Sequence, residues 1–205
     1  MRTTLAPAEI RDAILDAADR LLARYGFKKM TVDDLAREAG IGKGTVYLHF
    51  PSKEEVALCR IDRIVERLLE RLRALADSDD SGAERLRQML LLRVMFRFDS
   101  VKEHPQSLDD LMSSARKAYL IRRQRYLDAE AEVLAVVLRD GRDAGAFAFD
   151  DAMATAHTLL LATNALLPSA LGPRELGKRK DVQEKTTRIV ELLLAGLQRP
   201  GLQRR

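Results

Sequence analysis

Between Ser52 and Ala76 apolar side chains return at intervals of three and four: Leu58, Ile61, Val65, Leu68, Leu72 and Leu75. That spacing commits one stripe of a long α-helix to burial and excludes a strand, whose period is two. Ser52-Lys-Glu-Glu55 supplies a capping box at its start. A helix from Lys53 to Ala76 would be about 36 Å long at ~1.5 Å per residue, enough to tie an N-terminal head to a distant body.

The rest of the chain keeps the helical period. Pro7 opens a helix with Ile10, Ile14, Ala17, Leu21 and Tyr25 on one face, and Gly26 is expected to stop it. Thr31 followed by Asp33 and Asp34 reads as the N-cap and acidic first turn of a second, short helix, with Val32, Leu35, Ala36 and Ala39 apolar. The turn Gly40-Ile41-Gly42 leads into a third, Lys43 to His49, closed by Phe50 and Pro51. Beyond the polar loop Asp77-Ser-Asp-Asp-Ser-Gly82, helices are expected over residues 83–100, 105–116, 118–140, 150–167 and 181–198. Aromatic and β-branched residues are sparse and Ala, Leu, Arg and Glu dominate, so the expected class is all-α. The expected organisation is an N-terminal three-helix domain, residues 1–52, joined by the long helix to a helical body, residues 53–205.

Several function classes are set aside on chemistry. The single cysteine, Cys59, permits no intrachain disulfide, and no apolar run approaches the ~20 residues of a membrane helix, so a cytoplasmic protein with no membrane association is expected. Three isolated histidines and one cysteine give no metal-ligand spacing. No phosphate-loop or dinucleotide fingerprint is present, and His49 has no nucleophile or carboxylate at a meaningful spacing. An enzyme, a metal and a cofactor are therefore not expected. His104, before Pro105, is expected in solvent. The formal net charge of +4 tilts mildly toward nucleic acid.

A short helix packed across a second one through a glycine turn suits a helix-turn-helix. Gly42 and Gly44 would let the third helix approach DNA closely, and Lys43, Thr45, Tyr47 and His49 offer donors to phosphates and base edges. Val46 and Phe50 would anchor that helix in the core.

Four stretches, Tyr25-Gly-Phe27, Thr31-Val-Asp-Asp-Leu-Ala36, Gly42-Lys-Gly-Thr-Val-Tyr-Leu-His-Phe50 and Ser52-Lys-Glu-Glu55, together resemble the tetracycline-repressor-like (TetR) family of bacterial regulators over residues 10–58. The resemblance implies that Thr31, Thr45, Tyr47, His49 and Lys53 mainly hold phosphates and that Lys43 and Gly44 sit nearest the bases. Family members commonly carry serine where this chain has Gly42, so the hydroxyl cap of the third helix is missing. The resemblance further implies an N-terminal three-helix helix-turn-helix domain, residues 1–52, a helical ligand-binding and dimerisation domain, residues 53–205, and a homodimer through the last two helices, bound to double-stranded operator DNA. Met153, Leu160, Leu161 and Leu167 on one helix and Val182, Ile189, Leu193 and Leu197 on the other are the expected dimer faces.

Residues 86–98 are apolar nearly all round, as in a helix buried on several sides. A small, mostly apolar effector in this body would meet Met89, Leu92, Met95, Phe96, Met112 and Met153, with His157 and Asn164 as polar partners, although core packing and a histidine at the dimer interface account for the same residues. The expected function is a sequence-specific DNA-binding regulator, a repressor released from a near-palindromic operator by that effector. A ligand-independent activator or architectural protein would instead have a tightly packed body. A helical interaction module that has lost DNA binding would show no salt-sensitive DNA affinity.

Overall fold

The computed structural model describes residues 6–102, 105–167 and 177–198, with the side chains of residues 101, 102, 105–109 and 112 outside the description. His104, Pro168, Gly172, Pro173 and the side chain of Met112 thus lie outside the described residues. Among these residues there are eight helices and no strand: α1 (Pro7–Lys29), α2 (Val32–Ala39), α3 (Lys43–His49), α4 (Lys53–Ala76), α5 (Gly82–Lys102), α6 (Pro105–Asp143), α7 (Ala152–Asn164) and α8 (Arg179–Leu197). The protein is all-α, with a helix-turn-helix at its N-terminal end. No described helix is long and apolar enough to cross a membrane.

Two junctions stand close to where the sequence puts them. The span Pro7–Lys29 leaves helical torsions at Gly26 (φ 75°, ψ 169°), in the left-handed region that glycine enters without a Cβ penalty, so the first helix stops there and a short turn of helix follows. The span Pro105–Asp143 is likewise two helices that meet across a kink at Ala115 (φ −126°, ψ 23°), within two residues of the break expected between 105–116 and 118–140.

The chain divides into two compact units. One runs through Ile64 and takes in the part of α6 that ends at Leu120; the other comprises Val65–Lys102 and the chain from Ile121 on. The first 12 residues of the long helix, Lys53–Ile64, therefore belong to the head, where the sequence had placed a boundary at 52/53.

In the head, Ile14, Leu21 and Leu22 of α1, Leu35 and Ala36 of α2, Val46 and Phe50 around α3, Val56 and Leu58 of α4 and Leu111 of α6 form one buried cluster. Ion pairs along its flank join Arg60 to Asp19 and Arg63 to Asp16 (2.6 Å), fastening α4 to α1.

In the body, α5 packs chiefly against α8 and also against α7. Its Leu86, Met89, Leu90 and Val94 are all fully buried, as the all-round apolar pattern requires. Asp151 caps α7 by accepting from the Met153 and Ala154 amides at 2.7 and 3.0 Å. The expected dimer faces need correction: Leu160, Leu167, Val182 and Leu197 are buried within the chain's own core, and the large apolar side chains that α7 and α8 leave in solvent are Leu161, 62% exposed, and Leu192, 75% exposed. Period 3.6 marks an apolar stripe but does not say whether the chain itself or a second copy covers it.

The turn after α6 is closed by fully buried Phe147, which lies flat against Gly141 and Gly82. A Cβ on Gly141 would lie 2.2 Å from the Phe147 ring, whereas one on Gly82 would lie at 3.4 Å. Gly141→Ala is expected to lower unfolding free energy by about 1–3 kcal/mol through overpacking, and Gly82→Ala by clearly less, in urea titrations of the two variants.

Candidate nucleic-acid interface and ligand site

The recognition element is built from its caps inward. Thr31 caps α2: its Oγ1 accepts from the Asp34 amide at 3.1 Å and pairs with Asp34 Oδ2 at 2.6 Å, while its own amide donates to the same carboxylate at 3.2 Å. These bonds, the Thr31 hydroxyl foremost, hold the Asp34 carboxyl below the usual carboxylate range. Gly40 ends α2 in the left-handed region (φ 69°), and the Ile41 amide returns to the Ala36 carbonyl at 2.9 Å, which closes the turn in two residues. Gly42 then starts α3 with no side-chain cap, and its carbonyl accepts from Thr45 at 3.0 Å.

Helix α3 has two unlike faces. Val46 and Phe50 are each 1% exposed and sit in the head core. Lys43, Gly44, Tyr47 and Leu48 face solvent, with Thr45 and His49 half-buried at the margins. Lys43 Nζ lies 2.8 Å from Asp33 Oδ2, a hydrogen bond that raises the lysine pKa and keeps the ammonium charged. Leu48, absent from the donors that the motif offers, is exposed as well, and its place off the Val46–Phe50 face, four residues after Gly44, is the signal in the sequence that marks it.

Lys53 has a second occupation. Its ammonium donates to the carbonyls of Phe27 (3.2 Å), Lys28 (3.3 Å) and Met30 (3.1 Å) and lies 4.7 Å from the centroid of the Phe27 ring. All three of its N–H groups are thereby committed to the open end of α1, where carbonyls lack helical partners and the dipole favours a cation. Thr31 and Lys53 thus each hold the head's own backbone at the positions where the family resemblance puts phosphate contacts.

The body brings together a polar cluster that the sequence did not announce. Arg93 is fully buried in the middle of α5; its Nε lies 2.5 Å from Glu130 Oε2, Nη1 lies 2.8 Å from Thr163 Oγ1, and Nη2 lies 2.6 Å from Asn164 Oδ1. Arg97 pairs with both oxygens of Glu130, which is itself fully buried. Burial pushes the Arg93 pKa down to about 10, with Arg97 and Arg123 adding repulsion against the pull of Glu130; the guanidinium stays charged at neutral pH. Burial works to raise Glu130, but the two arginines outweigh it and hold the carboxyl below its ordinary value.

Of the expected ligand residues, Met89, Met95 and Asn164 are interior, whereas Leu92, Phe96, Met153 and His157 are half-buried. Met95 joins Val94, Phe98, Leu166, Leu167 and Val182 in an apolar cluster. His157 and Asn164 turn to different partners: His157 bridges Asp128 and the Met153 carbonyl, both at 3.0 Å, while Asn164 meets Arg93. Arg93 also fixes the orientation of the Asn164 amide, since a flip would set donor against donor; Asn164 Nδ2 is buried with no partner among the described residues. A concavity of about 430 Å³ along α8 is lined by Lys180, Gln183, Glu184, Thr187 and Arg188, a polar set unlike the expected apolar cavity.

A capped short helix, a glycine turn and a third helix with one anchored and one solvent-facing surface define a helix-turn-helix protein. Residues 14–58 match the family described as bacterial regulatory proteins, tetR family. Over those residues the chain is similar to that family of regulators. Among curated relatives, the HTH-type transcriptional regulator EthR of Mycolicibacterium smegmatis is 51% identical over 55 residues, 27% of this chain and 25% of that protein. The match thus spans about a quarter of that relative's length. A crystal structure of a transcriptional regulator from Cytophaga hutchinsonii shares the fold at a TM-score of 0.73 with 20% identity, over 91% of this chain and 97% of that one. SmeT, the repressor of a Stenotrophomonas maltophilia multidrug efflux pump, seen in complex with triclosan, shares it at 0.67 with 20% identity, over 94% and 93% of the two chains.

Two outcomes follow from this geometry. Lys53→Met should cost about 1–2 kcal/mol of stability without DNA present, because it leaves helix-end carbonyls without their donor; a lysine serving phosphate alone would leave the denaturation midpoint where it is. Because the folded-state pKa of Glu130 lies below its ordinary value of 4.5, its contribution is complete above that pH and is lost as pH falls through the depressed value. Urea titrations from neutral pH down to pH 3 should show an acid-sensitive component of stability that Glu130→Gln lacks, the variant being weaker by about 3–5 kcal/mol at neutral pH.

Proposed function

We propose that this protein is a cytoplasmic DNA-binding transcription regulator, a repressor that holds a near-palindromic operator as a homodimer and leaves it when a small, mostly apolar effector enters the body. The observation that carries the reading is the division of α3: Val46 and Phe50 are sealed in the head while Lys43, Gly44, Tyr47 and Leu48 are exposed to solvent. A helix held rigidly on one side and open on the other is what insertion into a major groove requires. Thr45, Tyr47 and His49 serve phosphates, and Lys43 with Gly44 lies nearest the bases. Gly42 leaves its backbone amide in place of a hydroxyl at the helix start. The last two helices pair the copies through the faces carrying Leu161 and Leu192, which sets two α3 helices on half-sites ~34–36 Å apart.

The effector part of the reading is supported by Asn164. Its Nδ2 is a buried donor of fixed direction, and burying such a group unpaired costs about 1–3 kcal/mol, which an oxygen acceptor on the effector would recover. SmeT, with the same fold, is known in complex with triclosan. Helix α4, shared by head and body, is the element that would convert occupancy of the body into altered spacing of the heads, provided the effector binds the released state more tightly.

The test is selection of bound fragments from a genomic or random DNA pool, followed by titration of the recovered site at two salt concentrations. A near-palindromic site with steep salt dependence is expected, and Tyr47→Ala should weaken it at least tenfold while leaving the fold intact. Failure to enrich any site would sink the regulator reading.

A further inference from the structure

We propose that Leu48 reads a thymine 5-methyl group in the operator's major groove, using the clearance left by Gly44. The inference rests on the DNA-binding reading above and adds a base-reading residue to it.

Leu48 is 85% exposed, more than any other large apolar side chain among the described residues. It belongs to a seven-residue helix whose other aliphatic side chain, Val46, is buried together with Phe50 at the C-cap, so the head core has no use for it. Gly44 lies one turn before it on the same face. A Cβ at Gly44 would meet nothing within 4 Å, and its backbone is ordinary helix, so neither packing nor torsion inside the chain demands glycine there. Glycine weakens a helix relative to alanine, and an exposed leucine gains nothing from water. Both residues are costly to the isolated head, and both are accounted for by one surface pressed against them from outside.

The chemistry of that surface follows from its neighbours. Lys43 and Tyr47 flank the Gly44–Leu48 row with an ammonium and a phenol, which suit a polyanion with polar edges rather than an apolar protein face. Within such a duplex, phosphates and base heteroatoms give an isobutyl group no return. The thymine methyl is the one apolar group that the major groove displays. Removal of the Cβ at position 44 lets the helix come near enough for the side chain four residues on to reach it.

The experiment uses the full chain and the operator recovered by selection. Each thymine in a half-site is replaced in turn by deoxyuridine, which deletes only the methyl, and affinities are measured for the wild type and Leu48→Ala. The wild type should lose about fourfold in affinity at one thymine per half-site, the equivalent of one buried carbon. Leu48→Ala should bind the native operator more weakly and be indifferent to that same replacement. Unchanged helical content of the variant excludes loss of fold. If no replacement affects the wild type, or if Leu48→Ala suffers the same loss at the same thymine, the proposal is overturned while DNA binding stands. If the wild type enriches no operator at all, the regulator reading falls and this inference falls with it.

Discussion

A guanidinium with no exposure to water sits at the centre of the body, and its bonds decide how the surrounding helices can be arranged. Arg93 of α5 meets Glu130 of α6 and Thr163 and Asn164 of α7 in three directions set by one planar group. Apolar packing alone is permissive of register, because one methylene contact resembles another. A buried charge is not permissive: every alternative packing of α5 against α6 or α7 strands the arginine, the carboxylate or both. The desolvation of Arg93 and Glu130 offsets much of their attraction, so the cluster contributes uniqueness of arrangement more than net stability.

The head solves a different problem. Its second and third helices, α2 and α3, are too brief to persist alone, and α3, with a glycine in its first turn, is the weaker of the two. Their conformation is held by the buried cluster from Ile14 to Leu58 and by Lys53, which ties the start of α4 to the end of α1. Polar residues at the rim thus serve the head's own backbone first. That ordering explains why a motif of donors can look like a list of phosphate contacts in sequence and turn out, at Thr31 and Lys53, to be engaged in capping.

Legibility in the sequence followed the range of the interaction. The three–four repeat of α4, the cap at Thr31 and the glycine turn at Gly40 are local signals, and each element stands where they put it. The split of α3 into anchored and open faces was equally readable from Val46 and Phe50. Arg93 was not, because it interrupts an apolar stretch and its partners lie 37 to 71 residues away. The same limit applies to Lys53, whose acceptors are 23 to 26 residues upstream, and to α7 and α8, where the stripe assigned to a second copy is largely consumed by the chain's own core.

The four solvent-facing positions of α3 carry no duty inside the head. Among the described residues Lys43 pairs with another surface group, a Cβ on Gly44 would meet nothing within 4 Å, and Tyr47 and Leu48 project outward. Such a surface behaves as an exchangeable cassette: descendants of one gene can diverge in the sequences they address by altering these side chains while the scaffold beneath stays under constant selection. Duplicated copies of this chain would therefore separate in target before they separate in fold, and the head's core would keep its ancestry legible after its addresses had changed.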